Sequence, residues 1–431
     1  MIGAYKEALT TSRKNGDRQG ESRALGNLGI VCLSLGQAKE AVVFFEQALV
    51  ISREIGDRQG ESGTLGNLGI AYHYLGEMGK ALDAYGEALV ISREIGDRQS
   101  EGNQLGNLGR VFSDVGRMEG AIAFHEQALI ISREIGDRRG EGADLGNLGI
   151  AYSSLGRVEE AIVAYEQVLN INREIDDRQI EGQTLGNLGD AYWSLGRAEE
   201  AIGFHEQALI ISREIGDRRS EGNHLGNLGI AYLSLGRVEE AIGCYEQSLV
   251  ISREIGNRWN EGNQLGNLGR VYLSLGRLEE AIDACEQSLV ISRELGDRRS
   301  ESKALGNLGN AYRNLGRVED AIGAYEQSLA ISREIGDRRS EGTTLGNLAN
   351  GYAALGRTKE AVSFYEQALM ISREIGDRED EANQLSNLGL MCNRLGDPAL
   401  ARSLWQQAVA IFDEIASPTA AVVRGWLEEL G

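Results

Sequence analysis

Ten asparagines recur at a fixed interval of 40 residues: Asn27, Asn67, Asn107, Asn147, Asn187, Asn227, Asn267, Asn307, Asn347 and Asn387. A primary amide offers two donors and one acceptor, the complement of a backbone C=O and N–H. A row of such amides is suited to holding an extended peptide whatever side chains that peptide carries. Asparagine in mid-helix is about 0.5–0.7 kcal/mol worse than alanine, so something must offset that cost in every unit. Two uses are open: contact with a ligand backbone, or a bond from each amide to the neighbouring helix that sets the curvature of the array.

The flanking positions vary. Four residues before each asparagine stand Arg23, Gly63, Asn103, Ala143, Gln183, Asn223, Asn263, Lys303, Thr343 and Asn383. Three residues after it stand Ile30, Ile70, Arg110, Ile150, Asp190, Ile230, Arg270, Asn310, Asn350 and Leu390. A constant residue among variable ones points to a general contact with local specificity around it. Apolar Ile30, Ile70, Ile150 and Ile230 lie toward the N-terminal side, while Arg110, Arg270, Arg313 and Arg394 are placed to meet acidic ligand groups. The candidate partner-binding set is the ten asparagines with these four arginines, Ile150 and Ile230.

Catalytic constellations are absent from the sequence. It holds no G-x-x-x-x-G-K-[ST], G-x-S-x-G or H-E-x-x-H, and the recurring Gly-Asn-Leu-Gly follows no strand, so it is not a phosphate loop. His73, His125, His205 and His224 fall in different units; His125 and His205 replace a recurring tyrosine and read as packed side chains. Cys32, Cys244, Cys285 and Cys392 form no C-x-x-C pair, and three of them replace aromatics, as small core residues do. The expectation is a protein that is not an enzyme, needs no cofactor and resides in the cytoplasm.

The asparagines must be positioned by helices. In the unit from Arg218 to Gly256, Leu225, Leu228, Tyr232 and Leu235 form one apolar helical stripe, and residues 223, 227, 230 and 234 form a polar one roughly opposite. Gly236 reads as a left-handed stop. Ala241, Ile242, Tyr245, Leu249 and Ile255 then mark a second amphipathic helix, ended by Gly256, after which Asp or Asn caps the next helix. Gly229 inside the first helix implies close approach of a neighbouring helix, and Gly226 faces nearer the polar stripe. Glu254 and Arg258 are read as an exposed i,i+4 pair worth a few tenths of a kcal/mol. Copies of this helix–turn–helix predict an all-α, right-handed α-solenoid that grows by stacking. Residues 1–17 match only a second helix, 18–416 make ten repeats, and 417–431 read as a capping helix.

Leu225, Asn227, Leu228, Gly229, Tyr232, Gly236, Ala241, Tyr245 and Ser248 resemble the tetratricopeptide repeat signature, with a unit of 40 residues in place of 34. The longer unit and its Gly-Asp-Arg junction are similar to the Pins/LGN spindle-orientation adaptors. That resemblance implies first helices lining a concave groove and a scaffold that binds an extended segment of a partner protein. The constant asparagine resembles the ladder of O-linked N-acetylglucosamine transferase, where it contacts peptide backbone.

The chain of 431 residues carries 44 basic and 65 acidic side chains, 44 − 65 = −21, which disfavours nucleic acid and anionic membranes as partners. No apolar run reaches membrane-spanning length. Two further readings accompany the scaffold: a sensor or regulatory segment of a larger signalling protein such as an ATPase or protease, and an array that self-associates through its terminal helices.

Overall fold

The computed structural model describes residues 2–430, and among them every regular element is an α-helix. The chain divides between Gly216 and Asp217 into two compact units. The first contains α1 (Ile2–Asn15), α2 (Arg18–Ser34), α3 (Ala38–Ile55), α4 (Arg58–Tyr74), α5 (Met78–Ile95), α6 (Arg98–Asp114), α7 (Met118–Ile135), α8 (Arg138–Ser154), α9 (Val158–Glu174), α10 (Arg178–Ser194) and α11 (Ala198–Ile215). The second contains α12 (Arg218–Ser234), α13 (Val238–Glu254), α14 (Arg258–Ser274), α15 (Leu278–Leu295), α16 (Arg298–Asn314), α17 (Val318–Glu334), α18 (Arg338–Ala354), α19 (Thr358–Ile375), α20 (Arg378–Arg394), α21 (Pro398–Glu414) and α22 (Thr419–Glu429). Within each unit every helix packs on the next, as in a solenoid.

The junction chemistry explains where helices start and stop. Asp57 accepts the Gly60 amide at 2.9 Å and Asn257 accepts that of Asn260 at 3.1 Å, each satisfying a donor the first turn leaves open. Gly236 closes α12 at φ 72°, a left-handed conformation that costs glycine nothing. Asp176 and Ala416 hold the same region, at 56° and 54°, where other junctions have glycine.

Leu225 and Leu228 are buried on α12, and Tyr245 on α13 is fully buried against it. A Cβ on Gly229 would lie 2.4 Å from the Tyr245 ring, so the glycine is there for close packing, as its position implied. Gly226 differs: a Cβ there would meet Gln264 Nε2 at 2.8 Å, on the next first helix, and not open groove. Leu235 and Ile255 also depart from expectation, at 39% and 41% exposed. They are the C-cap residues of α12 and α13, where the helical path ends and the side chain swings off the buried stripe.

The Glu254–Arg258 pairing is not made. Glu254 pairs with Arg218 instead, and Arg258 with Glu261 and Glu294. The reason is the turn at Gly256, which breaks the helical path that i,i+4 geometry requires. The result is a relay across repeats. Arg53 Nε bonds Glu61 at 2.8 Å, Arg58 bonds the same carboxylate at 2.7 Å, and Arg58 also reaches Glu94 of the next second helix. Glu61 is buried. Burial pushes its carboxyl up, but the Arg53 and Arg58 guanidiniums more than offset this and hold it below the ordinary range.

Candidate ligand-binding face

Successive first helices touch one another, α2 with α4, α4 with α6 and α6 with α8 in one unit, and α12 through α20 in the other; pairs of second helices approach less closely. Each unit is therefore tighter on its first-helix side, which makes that side concave. The ten asparagines sit on these helices, and all are half-buried. Apart from Asn227, none of their side chains makes a hydrogen bond within the described residues. Nine amides thus retain two donors and an acceptor beside solvent, and the bond to a neighbouring helix that an internal role requires is not formed at these nine.

Around the asparagines, Ile30 and Ile150 are about half exposed, at 48% and 50%, and Ile230 is 36% exposed, while Ile70 is half-buried. Arg110, Arg270 and Arg394 are exposed and Arg313 is half-buried. None of the four makes a salt bridge among the described residues, unlike the arginines of the relay.

Asn310 and Asn350 show a further arrangement. Tyr325 Oη donates to Asn310 Oδ1 and Tyr365 Oη donates to Asn350 Oδ1, each at 2.7 Å. Burial pushes both tyrosines up to about 12, so their hydroxyls stay protonated donors at neutral pH. The charge of Arg313 acts on both hydroxyls.

Between α6, α7 and α8 a cavity of about 150 Å³ is lined by Asn103, Asn107, Arg110, Asp144 and Asn147, among others. Asp144 is buried, accepts from Ser132 Oγ at 3.0 Å and lies 3.6 Å from Nδ1 of the fully buried His125. His125 and His205 are packed side chains, as the tyrosine they replace foretold, and Cys32, Cys285 and Cys392 are buried. The sequence reading missed Asp144 and the tyrosine–asparagine pairs. Their signal was available: Asp144 is the one acid in a column of Ala24, Thr64, Gln104, Thr184, His224, Gln264, Ala304, Thr344 and Gln384. Among the described residues no cluster of three or more His, Cys, Asp or Glu is arranged to hold a metal, and no helix is long and apolar enough to cross a membrane.

The tetratricopeptide repeat family model matches residues 21–94, 60–129, 103–174, 181–254, 263–334 and 340–414. No curated protein matches the chain in sequence. Among solved structures, a signal transduction ATPase with a tetratricopeptide repeat sensor from Pyrococcus horikoshii superposes with a TM-score of 0.61 at 17% identity, over 85% of this chain and 55% of that one. The chain thus spans about half the length of that ATPase. The apo quorum sensor NprR from B. thuringiensis gives 0.55 at 15% identity, over 79% of this chain and 99% of that one. Apo RapI gives 0.51 at 14% identity, over 64% and 99%. These likenesses are likenesses of fold.

Proposed function

This chain belongs to the tetratricopeptide repeat family, and we propose that it is a protein-interaction scaffold whose first-helix face binds an extended peptide segment of a partner. The observation that carries the reading is the row of open amides: nine half-buried asparagines, regularly spaced on the concave side, with no internal hydrogen bond. A buried amide left unpaired costs on the order of 1–3 kcal/mol, and half-burial leaves these groups to water until a backbone replaces it. The asparagines would supply contacts common to any sequence, while Arg110, Arg270, Arg313, Arg394, Ile150 and Ile230 would select among side chains. No catalytic or cofactor role is assigned.

The test is Asn267→Ala, Asn307→Ala and Asn347→Ala combined, with binding and melting measured on the same samples. Alanine is the better helix former, so melting should hold or rise slightly while affinity for a bound peptide falls at least tenfold. A collapse in melting with binding intact would show that the asparagines are structural.

A second reading, a sensor segment of a larger signalling protein, is favoured by the kind of protein that shares the fold, an ATPase with a repeat sensor and a quorum sensor. Finding the source reading frame continuous with an ATPase or protease domain would select it.

A further inference from the structure

The asparagine row treats all ligands alike, but the surface around it does not. In the second unit, past the first turn of α12, α14, α16, α18 and α20, the sequence contains no Asp or Glu. The first unit places Asp114, Asp144 and Asp190 on the corresponding helices. In a chain of net charge −21, such a carboxylate-free stretch is a local departure from the whole. Arg270 and Arg313 stand on adjacent first helices of this stretch without a salt bridge. Lys303 is not counted with them, because its charge acts on the N-cap carboxylates Asp297 and Asp337.

The amides add a directional argument. Tyr325 and Tyr365 occupy Oδ1 of Asn310 and Asn350 from the buried side, which leaves the NH₂ donors for the groove. From α14 to α18 the specificity positions therefore present guanidinium and amide donors and no ionised acceptor. A ligand that satisfies them must bring acceptors, and an ionised one gains roughly twice the bond strength of a neutral one.

Resting on the peptide-binding reading above, we propose that the α14–α18 face of the second unit selects an acidic segment of its partner, with Asp or Glu side chains meeting Arg270, Arg313, Asn310 and Asn350. A protein segment is favoured over nucleic acid because a phosphate polymer long enough to leave the patch meets the negative field of the rest of the chain. Equivalent positions in adjacent repeats are about 10 Å apart, or about three extended residues, so the preferred ligand carries an acid at about every third position.

The experiment uses the full chain and three fluorescein-labelled 12-residue peptides in a Ser/Ala background, with Asp, Asn or phosphoserine at every third position, plus a labelled oligo-dT, all at 150 mM and 500 mM salt. The expected result is Asp binding at least tenfold tighter than Asn, with the difference shrinking at 500 mM. Arg313→Gln should remove most of that difference. Tyr325→Phe, which releases the Asn310 amide with little change of shape, should reduce it two- to fivefold while melting is kept. Equal binding of the Asp and Asn peptides, both lost on combined Asn267→Ala, Asn307→Ala and Asn347→Ala, overturns this proposal and leaves the peptide reading standing. Binding of neither peptide overturns both. Phosphoserine or oligo-dT binding more than tenfold tighter than Asp overturns the assignment to carboxylates.

Discussion

Asp176 holds φ 56° at a junction where every other repeat except the last, which has Ala416, places glycine near 70°. For a residue with a Cβ that conformation costs roughly 1–2 kcal/mol, less for an aspartate that tolerates it. Asp176→Gly should therefore raise stability by about 0.5–1 kcal/mol, seen as a higher urea midpoint at unchanged m-value; a lower midpoint would mean that the side chain has a stabilising role of its own. This position was legible from the repeat alignment alone, since the deviation from a 40-residue rule is a property of letters. So was Gly229, whose mid-helix cost implied the close approach that the Tyr245 ring makes. The orientation of the Asn310 and Asn350 amides was not legible. It depends on a hydroxyl from the second helix, 15 residues away in sequence and brought near only by packing.

At the scale of the helix pair, the arginine–glutamate relay is the feature that sequence spacing misassigned. Glu254 and Arg258 have i,i+4 separation, but the turn between them leaves each with a partner inside its own repeat, Arg218 and Glu294, and it is Arg253 with Glu261 that joins neighbouring repeats. The buried acids at the start of the first helices are the vulnerable members. Arg13, burial and Arg18 act on Glu21, and burial opposed by two arginines acts on Glu61, Glu101, Glu141, Glu181 and Glu261; all six titrate below the ordinary carboxylate range. A carboxylate lowered on folding binds fewer protons folded than unfolded. Its contribution is complete above the unfolded value near 4.5 and is lost as pH falls through the folded one. The share of stability that rests on these six acids should thus be flat from pH 7 to about 5 and decline below about 4.5. Glu261→Gln should cost about 1–3 kcal/mol at pH 7, since it leaves Arg253 and Arg258 without their shared anion, discounted because both guanidiniums reach water. The mutant's denaturation curve should also lose part of the acid-limb slope. An unchanged slope would place the pH response elsewhere.

The whole chain was legible at the level of architecture because one unit repeats ten times: a helical stripe, a glycine stop and a capping residue need to be read once. The proposed ligand face was legible only as far as the row of asparagines, because a repeat keeps its constant positions in view and disperses the selective ones over variable positions. That dispersal leads to a last prediction. Each unit carries five asparagines on successive first helices, spaced about 10 Å apart. Four intervals span about 40 Å, which an extended chain covers in about 12 residues at 3.3–3.6 Å each. If the asparagines contact backbone, affinity for one unit should rise stepwise with ligand length, by one contact for about every three residues added, and the slope should flatten beyond about 12–15 residues. Each step adds one amide contact worth about 0.5–1.5 kcal/mol net of competition with water, with the ordering of the added residues met by their own side-chain contacts. The net gain per step should therefore be small, about two- to tenfold. Titrating Asp-bearing peptides of 6, 9, 12, 15 and 18 residues would measure it. Affinity independent of length from 6 residues upward would locate binding in one compact subsite and remove the asparagine row from ligand contact.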